Sequence, residues 1–258
     1  MLNRWRRWRE DRQLAEIALP EAQWQEAIAV YPRAISMPQA LLQHWREQSL
    51  RFLLRKQFFS GSGFVVSDAV RLRISALATL PVLGLGLDWY DDWDSLIVYE
   101  TAFIPPFEEE DEFGLVSHDF EPRSGEAWLQ GPVILSWEDI CAQSEPGCNV
   151  VIHEVAHKLD MRNGDANGFP PLHRDMSAVR WHEVMQSAWQ GAHHADQHGQ
   201  STLIDPYALE GPGEFFSVLS EWFFMQPEAL QSVWPEVYEQ LVLFYRIEPI
   251  QSVLYPWS

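Results

Sequence analysis

The sequence predicts an α+β fold, mostly helical with one small sheet, from three observations. Helical apolar spacing runs through roughly the first 80 residues and resumes after about residue 146. Between them lie short runs rich in Val, Ile and aromatics, separated by Gly or Pro, with the length and punctuation of strands. The composition, 258 residues at 47% hydrophobic and 13% aromatic, suffices for one good core and argues against disorder. With no internal repeat, low-complexity segment or linker, the chain reads as a single domain over 1–258. Its helical N-terminal part covers 1–80, and the sheet and remaining helices cover 81–258.

The start, RWRRWRED, is basic through Arg4, Arg6, Arg7 and Arg9, with Trp5 and Trp8 between them. It is expected to be a solvated helix or arm rather than a contact for an anionic surface. It is not a signal peptide, because EDRQLAEIALPE follows where an apolar segment would stand. LPEAQWQEAIAVYPR (19–33) and PQALLQHWREQSLRFLLRKQFF (38–59) carry helical spacing, and Pro38 opens the second. SDAVRLRISALATLPVL (67–83) continues with a helix capped by Ser67. Strands are expected in DSLIVYETAFI (94–104), FGLVSHD (113–119), SGEAWLQ (124–130) and GPVILSWEDI (131–140), with the acids of 108–112 in a solvated loop. VVIHEVAHKLD (150–160) is a helix ending near the turn-rich RNGDANG. Further helices follow in HRDMSAVRWHEVMQSAWQGAHH (173–194), GEFFSVLSEWFFM (213–225) and PEVYEQLVLFYR (235–246), the last opened by Pro235.

Several function classes are excluded early. A formal net charge of −19 rules out bulk attraction to nucleic acid as the main use of the surface. No stretch approaches the ~18 apolar residues of a membrane span. Cys141 and Cys148 are too few for a disulfide framework and too far apart for a CxxC clamp, which favours a reducing cytoplasm.

The chemistry sits in residues 150–160. On a helix, Ile152, Val155, Ala156 and Leu159 form one apolar stripe, and His153, His157 and Asp160 form a ridge beside it. The i, i+4 spacing stacks two imidazoles one turn apart, roughly 5–6 Å between Cβ atoms, so both can meet one ion. Glu154 is rotated about 100° from His153 and can reach a water beside that ion. This is the HExxH arrangement of two zinc ligands and a general base. An amphipathic helix with one polar face is the alternative, but the apolar surroundings favour the metal because they build a dry wall.

A catalytic zinc needs a third protein ligand and one open position. HKLDMRNGDA lacks the glycine and third histidine of a metzincin extension. His173, His182, His193, His194 and His198 are available but stand in no special context. Glu214 is the better candidate. Gly211, Pro212 and Gly213 open a helix and leave it in the first turn, where the helix dipole favours a carboxylate. Glu221 shares its face and would serve by accepting a ligand histidine's N–H. Two surface glutamates on an amphipathic helix remain the alternative.

HEVAHKLD, DPYALEGPGEFFSVLSEWFF, FFSGSGFVVSDAVRLRISALATLPVLGLG and IVYETAF together resemble the Mlc titration factor family over roughly residues 20–250. These are cytoplasmic bacterial zinc metallopeptidases, distantly similar to the catalytic domain of anthrax lethal factor. The resemblance implies a zincin-like domain with its small sheet next to the HExxH helix. It implies one zinc per chain on His153, His157 and Glu214, with Glu154 as base. It also implies that Tyr207 matches the tyrosine lethal factor places over its zinc, as an oxyanion donor; a structural tyrosine is the alternative. Aminopeptidase-type activity and binding of an Mlc-type transcriptional repressor come with the family. Val155 departs from it, replacing a more usual aromatic.

The expected reaction is zinc-dependent peptide hydrolysis, with Glu154 carrying a proton from water to the leaving amine. One strand between 113 and 136 is expected to offer its edge to the peptide, and Asp160 and Glu221 to support the ligands. The rival from another class is a zinc-stabilised, repressor-binding regulatory protein with vestigial or gated hydrolysis. A non-peptidase zinc hydrolase ranks below both. Glu154 argues for chemistry, because a purely structural zinc has no use for a base.

Overall fold

Prolines and short polar caps set where the helices begin. The computed structural model describes residues 2–103, 109–110, 116–117, 125–127, 131–142, 146–200 and 202–254. Helix α1 (Leu2–Glu16) is followed by α2 (Glu21–Ile28) after Pro20 and by α3 (Gln39–Arg55) after Pro38. Ser67 caps α4 (Asp68–Thr79), its side chain accepting from the Val70 amide as expected.

The N-terminal helix is docked by its inner face. Arg6 reaches Asp88 at 2.8 Å and Asp91 at 2.9 Å, and the buried Glu10 accepts from Arg51 at 3.1 Å and Arg55 at 2.9 Å. The outer face, with Trp5 and Trp8 exposed, is the solvated part that was expected.

The helical spacing of 38–59 overran the true helix. Lys56 turns into extended backbone (φ −106°, ψ 144°), and Gln57–Ser60 form strand β1, parallel to β2 (Ser95–Tyr99). The Lys56 ammonium is buried against the Tyr90 and Trp93 carbonyls and stacks 3.9 Å from the Trp93 ring. Burial pulls its pKa down to about 8.

Strand β6 (Val133–Ser136) pairs parallel with β2 on one side and antiparallel with the short β5 (Gly125–Ala127) on the other. The sheet order is β1-β2-β6-β5, which leaves β5 at an edge. Every residue of β6 is buried, as suits a strand covered on both faces. Two strand assignments change. Residues 137–142 of the expected strand 131–140 and beyond form helix α5 (Trp137–Ala142). Within 113–119, the described Val116–Ser117 (β4) pair with Glu109–Glu110 (β3) in a separate hairpin, so two of the acids expected in a loop lie in a strand. The rest of 104–124 and of 128–130 lies outside the described residues.

Helix α6 (Val150–Asp160) runs through the middle of the molecule, buried from Val151 to Asp160. Helix α7 (Ala178–Gln197) starts later than the expected 173, because Ser177 caps it. Helix α8 (Pro212–Met225) packs along α6, followed by α9 (Pro227–Val233) and α10 (Pro235–Tyr245). A last hairpin joins β7 (Ile247–Glu248) to β8 (Val253–Leu254). One hydrophobic cluster extends from Trp24 to Ile247. The result is α+β, mostly helical with a small sheet, and β5 lies against α6. Among the described residues, no helix is long and apolar enough to cross a membrane.

Candidate metal centre

Two helix starts and one edge strand build the site. Asn149 opens α6: its side chain accepts from the Ile152 amide at 3.1 Å. This sets the phase of the helix, so that His153 and His157 face α8 while Ile152, Val155, Ala156 and Leu159 sink into the core. Gly211 precedes α8, Pro212 occupies its first turn, and Glu214 follows at once.

Side chains from the two helices converge. His153 Nε2 lies 3.0 Å from Glu214 Oε2, His157 Nε2 lies 3.3 Å from the same oxygen, and the two ring nitrogens are 3.1 Å apart. Both histidines are buried and Glu214 is partly open. Among the described residues this is the one cluster of His, Cys, Asp or Glu with metal-ligand spacing.

The hydrogen bonding decides what those atoms can hold. His153 Nδ1 lies 2.8 Å from Glu221 Oε1, so its N–H donates there and Nε2 turns a lone pair inward. Glu221 also accepts from the Asn149 backbone amide. Two imidazole nitrogens and a carboxylate oxygen therefore point at one spot, an arrangement that repels itself unless a cation or a proton sits among them. Without a metal a proton takes that part. Burial opposes charge on His153, but Glu214 and Glu221 outweigh it and hold its pKa well above the ordinary value. Burial keeps His157 low, against the pull of Glu214. Burial opposes the Glu214 charge as well, yet the two imidazoles keep this carboxyl far below the usual range. The donor set, two neutral imidazoles and a carboxylate, fits zinc.

Glu154 stands apart from this cluster, as its helical rotation predicts. It is buried, and among the described residues its Oε2 has no hydrogen-bond partner. Burial lifts its carboxyl to about 8; His153 pulls the other way, while Glu214, Glu221 and Glu126 push it up. A cation among the three donors would lower it again, toward the value a base needs at neutral pH. Strand β5 passes directly over it. A Cβ on Gly125 would overlap Glu154 Oε1 and stand 2.7 Å from Val150 Cγ2, so only glycine lets the edge strand come this close. The sequence reading did not single out Gly125; its signal is an isolated glycine inside a strand pattern.

Tyr207 lies in a 3₁₀ turn (Pro206–Leu209) capped by Asp205, whose carboxylate accepts from the Tyr207 amide at 2.8 Å. Its ring centre is 6.1 Å from that of His153, it is about half exposed, and burial together with the nearby Glu214 charge pushes its hydroxyl pKa up. Glu221 takes the supporting place expected of it. Asp160 bonds to the Gly168 amide at 2.7 Å instead of to a ligand histidine. The other histidines lie elsewhere. His173 contacts the Phe244 carbonyl at 2.8 Å, His193 packs on Trp189, His198 contacts the His194 carbonyl at 2.7 Å, and His182 lines a separate cavity with Trp181 and Trp189.

Comparison with known proteins places the chain in a family. Mlc titration factor A of Yersinia pestis (strain Pestoides F) is 35% identical over 246 residues, spanning 94% of this chain and 90% of its own length. The protein of that name from Yersinia pseudotuberculosis serotype O:1b (strain IP 31758) matches to the same extent. The sequence model of the glucose-regulated metallo-peptidase M90 family matches residues 5–246, so nearly the whole chain, with both helices of the cluster, belongs to that family.

Proposed function

We propose that the chain is a zinc metallopeptidase of aminopeptidase type, one catalytic domain with a zincin-like arrangement. One zinc would be held by His153, His157 and Glu214. The observation that carries the reading is the convergence of three acceptor atoms from α6 and α8 on one spot, with His153 locked by Glu221 in the tautomer a ligand needs. A zinc ion there supplies Lewis acidity, lowering the pKa of a water and polarising the scissile carbonyl.

The remaining chemistry belongs to the chain's own side chains. Glu154, buried and one residue from the ligand, is the general base that takes a proton from the attacking water and passes it to the leaving amine. Tyr207, half exposed beside the His153 ring, is the donor for the developing oxyanion. Strand β5 supplies the edge along which an extended peptide adds a strand and is carried across Glu154. The aminopeptidase type rests on the family resemblance. So does a cytoplasmic location, with which the two exposed cysteines agree.

A second reading has its own support: the relatives are called Mlc titration factor A. On that name we infer that this chain also binds a transcriptional repressor of the Mlc type, so that peptide hydrolysis and repressor binding share one molecule. The alternative, repressor binding with vestigial or gated hydrolysis, leaves Glu154 without a purpose. The deciding experiment compares metal content, peptide turnover and repressor binding of the wild type with those of Glu154→Gln. The peptidase reading expects full metal, intact repressor binding and turnover reduced at least ~10²-fold. Equal turnover in the two proteins overturns it.

A further inference from the structure

Asp160 shares a ridge of α6 with His153 and His157 and is fully buried. Its hydrogen bond runs away from them. The carboxylate accepts from the Gly168 amide at 2.7 Å. The loop it gathers is the one against which α8 begins. Gly168 sits at φ +71°, and a Cβ there would lie 2.5 Å from the Pro212 carbonyl oxygen. From the opposite side, a Cβ on Gly213 would lie 2.7 Å from the Ala166 carbonyl oxygen. The Trp181 indole pins the loop from outside, donating to the Gly168 carbonyl at 3.1 Å. Backbone therefore packs on backbone between 166–168 and 212–213, a joint that tolerates no side chain on either glycine, and Glu214 follows directly.

We propose that Asp160 is a positioning residue for the metal site. By fixing loop 166–168 it sets where the first turn of α8 stands, and so where Glu214 meets the two histidines of Asp160's own helix. This rests on the reading of Glu214 as a ligand. The Gly168–Pro212 joint is short and built of backbone, so a displaced loop moves Glu214 without an intervening flexible side chain. A rival route runs within α6, because among the described residues His157 Nδ1 and Asp160 Oδ1 both lack a hydrogen-bond partner and Asp160 acts on His157 through its charge. The two routes differ in whether Glu214 is needed.

The test is zinc affinity, measured by chelator competition in a double-mutant cycle, with thermal unfolding of the metal-free proteins as the control for general damage. Asp160→Asn should weaken zinc about 10-fold, the low end for a group that orients ligands. In a Glu214→Ala background the same change should alter affinity by less than about twofold, because the ligand it positions is gone. Gly213→Ala disturbs the joint while leaving Asp160 intact. It should behave the same way in the cycle, and it carries the test if Asp160→Asn fails to fold. An equal effect of Asp160→Asn in both backgrounds overturns the relay in favour of the route through His157. Weak binding in Glu214→Ala with none lost in Asp160→Asn or Gly213→Ala also overturns it, and leaves the ligand assignment standing. Zinc affinity unchanged in Glu214→Ala overturns the ligand assignment itself.

Discussion

His153 Nδ1 and Glu221 Oε1 lie 2.8 Å apart, joining residues separated by 68 positions in the chain. One contact fixes the tautomer of a ligand histidine and ties α6 to α8 within a buried interface. Glu221 does a second task there by accepting the Asn149 amide at the start of α6.

Glu221→Ala should therefore damage fold and metal binding together. It strands a buried imidazole N–H and a buried backbone amide, each worth about 1–3 kcal/mol when left unpaired. Zinc affinity should fall roughly 10-fold, because His153 loses its orientation but remains a ligand. Denaturant unfolding and chelator competition on the same preparations check both figures. A stable variant with unchanged zinc affinity would remove Glu221 from the site.

A pH effect follows from Glu154. Burial raises its carboxyl from an ordinary 4.5 to about 8. An acid whose folded value lies above its unfolded value favours the folded state only while protonated. The metal-free protein should accordingly lose stability as pH rises from about 4.5 to about 8, by an amount on the order of a few kcal/mol. Glu154→Gln removes that loss. The metal-free variant should melt above the wild type at pH 8, and the gap should close toward pH 5. Parallel melting curves across that range would mean that Glu154 does not sit in the folded protein as an uncompensated buried acid.

What the sequence disclosed about this site was its local part. The i, i+4 pair of His153 and His157 is a property of one helix, and the glycines and proline before Glu214 mark a helix start wherever the helix lies. Glu221 was legible as an acid on an apolar helix, which needs a partner. Asp160 was expected beside the ligand histidines, but it bonds to the Gly168 amide, which no spacing within α6 reveals. Strand β1 was hidden for a similar reason. Residues 57–59 extend the apolar spacing of α3, and only the ladder to β2, nearly forty residues on, makes them a strand. Gly125 carries meaning only once β5 is known to cross Glu154.

Gly125→Ala tests that crossing. The added methyl claims space occupied by the Glu154 carboxylate, so either the base or the strand must move. Metal content should be unchanged, since no ligand touches this residue. Peptide turnover should fall at least ~10-fold, with kcat affected whether or not KM is. Steady-state kinetics alongside metal analysis decides the matter; unchanged kcat would mean that β5 yields without disturbing Glu154.

The last prediction concerns the third ligand, where the sequence left several groups in play. Glu214 approaches both ring nitrogens, at 3.0 and 3.3 Å, although 57 residues separate it from His157. His173 is engaged at the Phe244 carbonyl, His193 at the Trp189 ring and His198 at the His194 carbonyl, all on other parts of the molecule. Glu214→Ala should weaken zinc by roughly 10–100-fold or more, because one of only three protein ligands disappears. His173→Ala, His193→Ala and His198→Ala should each bind zinc like the wild type. Chelator competition across the four variants ranks them directly. Should a histidine variant release the metal while Glu214→Ala retains it, the ligand set is wrong, and the role given to Tyr207 falls with it.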